Sequence, residues 1–255
     1  MSKPQLGIQL YSVRDRSERD FLGTIREVAE IGYRNVELAG TFGFSAREVR
    51  RALDDAGLNA PSAHIGLPFK EPDKVGEHLK QQIEYALELG LKRFIVPSYP
   101  LAEEPTEDDV AKFAAAIQEA AETVTKAGLQ FGYHNHAFEF KTVGGKPVID
   151  HLLERVAPEL LFAEFDLGWV KVGGQDPAAY VRKYAGRVPV VHAKDFKEDG
   201  VDTEIGRGTV DWDSALAACE EAGVEYVIIE QERYDVSSLE SAKLNFAWFK
   251  NRGYV

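Results

Sequence analysis

One short pattern recurs five times along the chain, and it limits the possible folds more than any other feature of the sequence. The segments AEIGYRNVEL (29–38), DDAGLNAPSAH (54–64), LELGLKRFIV (87–96), TKAGLQFGYHNH (125–136) and EEAGVEYVIIE (220–230) each carry an amphipathic helix to a glycine. Those glycines are Gly32, Gly57, Gly90, Gly128 and Gly223. Glycine enters the left-handed conformation that ends a helix at little cost, and a short apolar strand follows. Helix, stop and strand in repetition predict βα units and a parallel sheet. Three further strands fit the gaps: LGIQLYS (6–12), ELLFAEFD (159–166) and VPVVHAKD (188–195). With a last helix near 237–251 the count reaches eight strands and eight helices. Ser45 with Glu48 reads as a capping box, and Asp176-Pro177 as a helix start.

Eight units in 255 residues fit a closed (β/α)8 barrel, an α/β fold, with residues 1–255 as one domain. The rival, a doubly wound open sheet, normally carries a glycine-rich phosphate turn after its first strand, and IQLYSVRD has none. The formal charge of -12 speaks against nucleic acid as a partner. A single cysteine, Cys219, excludes an intramolecular disulfide and is expected to be packed within a helix. Met1 to Tyr11 lacks a secretory pattern, and the apolar runs fall far short of the roughly 20 residues that span a bilayer. A cytoplasmic protein acting on a small molecule, without membrane contact, is expected. Homo-oligomerisation is left open.

Catalytic groups in such barrels come from the C-terminal ends of the strands. Those ends carry Gln9 and Tyr11, then Glu37, His64, Ser98, His134 to His136, Glu164 and Asp166, His192 and Lys194, and Glu230 and Glu232. Side chains two apart share a strand face, which pairs His134 with His136, Glu164 with Asp166, His192 with Lys194, and Glu230 with Glu232. Carboxylates inside apolar strands are costly unless paired or metal-bound. Imidazoles and carboxylates at one mouth suit Zn, Mn, Fe or Co. By contrast, His78 and His151 sit on helical segments, where surface placement is expected.

At these tips the sequence resembles the xylose-isomerase-like sugar phosphate isomerase/epimerase superfamily. GIQLYSVRD, YHNHAFEF, FDLGW, VHAKDF, GRGTVDW and IIEQE carry the resemblance over almost the whole chain. It implies one divalent metal ion (Mn, Zn, Co, Fe or Mg) held by one residue from each of strands 5 to 8. Carried over, those residues are Asp166, His192 and Glu230. On strand 5 the epimerases usually place a glutamate, whereas this chain offers His134, with His136 and Glu139 as competitors. Two metal-bound glutamates on opposite faces of a sugar exchange the proton in a ketose 3-epimerase. A histidine there does not fit that symmetric scheme.

The activity expected first is a sugar or polyol isomerase or epimerase acting through an ene-diolate, with the metal chelating a carbonyl and an adjacent hydroxyl. Glu230 or Glu232 is the first candidate base and His136 the second. Lys194 is expected to hold an oxyanion, donate a proton, or pair with Asp195 or Glu164. Gln9, Glu37, His64, Trp169 and Arg207 are candidate substrate-binding groups, and Phe138 a candidate apolar wall. Arg207 has a second reading as a pin against Asp211. The alternative activity is β-elimination, as in inosose dehydratases or keto-glycoside lyases, which resemble the superfamily too. Two more distant alternatives are a barrel endonuclease with a larger metal cluster and a sugar-binding barrel without catalysis.

Overall fold

The computed structural model describes residues 3–255; Met1 and Ser2 lie outside the described residues. Eight strands form a closed parallel barrel: β1 (Gln5–Gln9), β2 (Asn35–Ala39), β3 (Asn59–His64), β4 (Arg93–Val96), β5 (Gln130–His134), β6 (Phe162–Asp166), β7 (Val190–Ala193) and β8 (Tyr226–Ile229). Sequential neighbours pair throughout, and β1 pairs with β8 to close the ring. Around it lie α1 (Arg14–Ile31, kinked at Asp20), α2 (Ala46–Ala56), α3 (Pro72–Leu89), α4 (Glu107–Lys126), α5 (Val148–Arg155), α6 (Leu167–Val172), α7 (Pro177–Lys183), α8 (Trp212–Ala222) and α9 (Ser238–Lys250).

All five repeat glycines have positive φ, from 66° at Gly57 to 125° at Gly32. The Ser45–Glu48 capping box forms, and Asp176 caps α7 with Pro177 in its first turn. Among the described residues nine helices stand where eight were expected, because two short helices, α6 and α7, share the connection after β6. Several strands are shorter than the sequence suggests. The first ends at Gln9 in a 3-10 turn over Leu10–Val13, the fifth at His134, and β6 begins only at Phe162. Asp195–Phe196 leaves the barrel to pair with Asp202–Thr203 as a small antiparallel hairpin.

Register decides which polar groups meet. Gln9 lies opposite Glu37, Glu37 opposite Ser62, His134 opposite Glu164, and Asp166 opposite His192. A register shift between Asn35 and Glu37 against β3 puts Glu37 beside Ser62 instead of its neighbour.

Two contacts hold the β7–β8 side of the mouth. The Asp195 carboxylate accepts bonds from the amides of Gly206 (2.9 Å), Gly208 (3.1 Å) and Val210 (3.2 Å) and from the Trp212 indole N–H (2.9 Å). Asp195 therefore ties down the GRGTVDW loop and leaves Lys194 to other partners. The first turn of α6 lies directly on β7, where a Cβ on Gly168 would stand 2.5 Å from the Lys194 carbonyl oxygen. Backbone cannot yield as a side chain tip can, so Gly168→Ala is expected to lower stability by about 1–3 kcal/mol in urea titrations. An unchanged midpoint would mean that α6 moves freely off the barrel.

Candidate metal centre

The mouth of the barrel holds four carboxylates in its buried polar layer: Glu37, Glu164, Asp166 and Glu230. Three imidazoles lie between them. His64 Nε2 is 2.6 Å from Glu164 Oε2 and 3.1 Å from Glu37 Oε1. His134 Nδ1 is 3.1 Å from Glu164 Oε2. His192 Nε2 lies 2.7 Å from Glu37 Oε1, and its Nδ1 3.2 Å from Glu230 Oε2. Glu37 also accepts from Gln9 Nε2 at 2.7 Å and Ser62 Oγ at 2.5 Å, which fixes its orientation.

Burial and neighbouring charge compete at every member of the cluster. For His64 and His192 burial opposes protonation, but the Glu37 and Glu164 carboxylates overcome it and raise both pKa values. His134 goes the other way, because burial outweighs its bond to Glu164 and holds it neutral. Burial also raises Asp166 to about 7. Its Oδ1 accepts the Trp169 amide at 2.9 Å, while Oδ2, fully buried, has no hydrogen-bond partner.

Two overlapping sets of four donors are close enough to hold one ion: His134, Asp166, His192 and Glu230, and His64, His134, Glu164 and His192. Within each set the ligating atoms lie within 4.8 Å of one another. Tetrahedral bonds of roughly 2.0–2.2 Å to N and O need only a small contraction from there. An orphaned carboxylate oxygen and mixed N/O donors suit a divalent cation, so the residues present fit the group.

The other candidates fall into distinct places. Lys194 Nζ pairs with Glu232 Oε1 (2.5 Å) and Glu230 Oε2 (3.2 Å), not with Asp195 or Glu164 as anticipated, and lies 5.3 Å from the Trp169 ring. His136 lies two residues beyond the end of β5 yet lines the same 400 Å³ cavity as Tyr11, His64, Ser98, His134, Glu230 and Glu232. Its buried Nδ1 has no partner, and burial pushes its pKa down to about 4. Gln9 and Glu37 lie beneath the imidazoles instead of on the cavity wall. Arg207 pairs with Glu204 at 3.3 Å rather than Asp211, is largely exposed, and is absent from that wall. Phe138 stacks on His136 at 5.5 Å. Cys219 is buried in α8 and stays a thiol, pushed up to about 12 by burial.

Sequence reasoning passed over Ser62 and left Glu164 without a role, although Glu164 shares its strand face with Asp166. Glu139 turns away from the cluster. Its carboxyl accepts the Tyr133 hydroxyl (2.7 Å) and the His136 amide (2.8 Å), so it holds the turn that presents His136. Burial raises Glu139 to about 8 against these bonds. The folded chain then keeps a proton that the unfolded chain loses above the ordinary carboxylate range. Stability is therefore expected to fall as pH rises toward 8, by up to about 1.4 kcal/mol per pH unit, with no further loss above it. Denaturant titrations of Glu139→Gln should show a shallower slope, because Asp166, raised to about 7, contributes in the same direction; an identical slope in the variant would remove Glu139 as a source.

Among the described residues no helix is long and apolar enough to cross a membrane. An inosose dehydratase of Geobacillus kaustophilus is 27% identical over 209 residues, 75% of this chain and 67% of the relative. The matches thus span about two thirds of the length of such relatives. A sugar phosphate isomerase/epimerase from Parabacteroides distasonis shares the fold, with a TM-score of 0.88, 24% identity and full coverage of both chains. The IolI protein, solved with a zinc atom, shares it at a TM-score of 0.77 and 13% identity over 97% of each chain. A sequence profile described as xylose isomerase-like TIM barrel matches residues 25–252. The chain belongs to that family, whose members include isomerases, epimerases and dehydratases.

Proposed function

We propose that the chain is a metal-dependent carbon–oxygen lyase, which removes water by β-elimination from a cyclic keto-polyol of the inosose type. The carrying observation is an unlike pair at the metal centre: a neutral His136 on the cavity wall with a free buried Nδ1, and, directly behind the wall residues Glu230 and Glu232, a Lys194 ammonium held charged by Glu230, Asp166 and Glu232 despite burial. Elimination needs one base and one acid, whereas epimerisation needs two groups on opposite faces, one to remove a proton and the other to deliver its own. The similarity to inosose dehydratases supports the same reading. The isomerase or epimerase expected first would share the metal and the initial proton transfer. It lacks a second base of matching kind.

His134, Asp166, His192 and Glu230 are the proposed metal ligands, chosen over the set with Glu164 because the Glu164 oxygens already face three imidazoles, whereas Asp166 Oδ2 faces none. In this assignment Glu37 receives His192 Nε2–H and Glu164 receives His134 Nδ1–H, which fixes each ring with its other nitrogen free for the ion. A bound divalent ion supplies Lewis acidity, polarising a carbonyl and acidifying the adjacent C–H. His136 takes the proton from that carbon. Lys194 donates to the departing hydroxyl as the C–H pair becomes the C=C bond and the C–O pair leaves as water. Solvent then returns a proton to Lys194 and takes up the one held by His136, while the Glu232 carboxylate holds the ammonium in place. His64 contacts the ring, and Trp169, off the cavity wall, backs Lys194.

Purified chain is expected to bind about one Mn equivalent, and Glu37→Gln to weaken that binding about 10- to 100-fold by isothermal titration. Three equivalents would favour the endonuclease reading, and none the sugar-binding barrel. Incubated with an inosose, the loaded chain should yield a product one water lighter by mass spectrometry. His136→Ala should lower kcat about 10²- to 10⁴-fold. Product of unchanged mass, with solvent deuterium at carbon, would sink the lyase in favour of the isomerase.

A further inference from the structure

A second and larger cavity, of 720 Å³, adjoins the metal centre. The loops after β3 (residues 66–70), β4 (97–103) and β5 (Phe138 and Lys141) enclose it. Pro97 and Ser98 line both cavities, and Phe138 in the outer wall stacks at 9° on His136 in the inner one. The inner space of 400 Å³ already lies within the range that encloses a single small ligand. Nothing in the proposed dehydration uses the outer space.

The chemistry of the two walls differs. The inner wall is carboxylate and imidazole, whereas the outer one is built mainly of Leu67, Phe69, Tyr99, Leu101 and Phe138 with three prolines. Tyr99 is braced between Phe69 (4.9 Å) and Phe113 (4.7 Å), so the aromatic surface is preorganised. Few polar side chains face this space. Lys141 is engaged by the Glu103 carbonyl and lies 3.7 Å from Glu104, and Lys70 and Glu103 are exposed at the edge. A second sugar ring needs paired donors and acceptors for its hydroxyls, which this wall does not offer. A flat aromatic ring needs only apolar area and offset stacking.

We propose that the outer cavity is a second substrate subsite, which takes an aromatic ring joined through oxygen to a polyol ring held in the inner cavity. This rests on the polyol reading of the metal centre. Binding alone tests it, with isothermal titration of Mn-loaded full-length chain against phenyl β-D-glucopyranoside, methyl β-D-glucopyranoside and cellobiose. The phenyl compound is expected to bind about tenfold or more tightly than the methyl one, as burial of an aromatic ring requires, with cellobiose no better than methyl. Leu101→Ala should reduce the phenyl advantage. Leu101→Trp, which fills the outer space, should abolish it while leaving methyl affinity unchanged. Equal affinity for phenyl and methyl, a phenyl advantage that survives Leu101→Trp, or tightest binding of cellobiose overturns the subsite alone. Failure of both glucosides to bind while an inosose binds overturns the subsite alone; failure of the inosose as well overturns the polyol reading with it.

Discussion

Four buried carboxylates share one end of the barrel, and the cost of holding negative charge away from water shapes everything around them. Lys194 is the one ammonium in the cluster, and it is committed to Glu230 and Glu232. The remaining compensation comes from imidazoles, with His64 and His192 placed between Glu37 and Glu164 so that each proton is shared by two acids. Even so, Asp166 is driven toward its neutral form, and one of its oxygens has no hydrogen bond and only the Lys194 ammonium at 4.0 Å. A divalent cation would remove that deficit at once.

The scaffold shows how tightly this arrangement must be kept. Glu37 meets His192 at 2.7 Å, a register shift aligns it with Ser62, and Gln9 and Ser62 fix both of its oxygens. Gly168 lets α6 lie on the carbonyl of Lys194, and Asp195 gathers four donors that pin the following loop. Apolar residues of similar volume would hold a barrel at least as well as these buried charges. The cluster is thus explained by chemistry at the mouth and not by the stability of the fold.

Much of this was legible in the sequence because it depends on local rules. The five glycines mark helix ends through backbone sterics alone, and strand parity carried His134, Asp166, His192 and Glu230 to one mouth. What was missed depends on contacts between strands. One of the two readings of Lys194 paired it with Asp195 or Glu164, but Asp195 departs into a hairpin and Glu164 is engaged by three histidines. Parity also says nothing once a strand has ended. His136 keeps its place in the cavity because Glu139 holds the turn by its amide, a contact with no periodic signature. Arg207, judged from charge alone, pairs locally with Glu204 instead.

The histidine on β5 is the residue that most affects the chemistry. With His134 neutral, Asp166 and Glu230 alone would balance a divalent ion, whose remaining pull falls on a substrate oxygen. A third carboxylate in that place would supply a base but would also weaken the polarisation on which carbon acidity depends. In the proposed assignment proton removal would pass to a group outside the metal's ligands, and His136, with an unpartnered Nδ1, stands beside His134. In the proposed lyase, base and acid are then different groups, His136 and Lys194. A proton taken by one and a leaving oxygen served by the other make elimination easier to achieve than delivery of a proton to the opposite face.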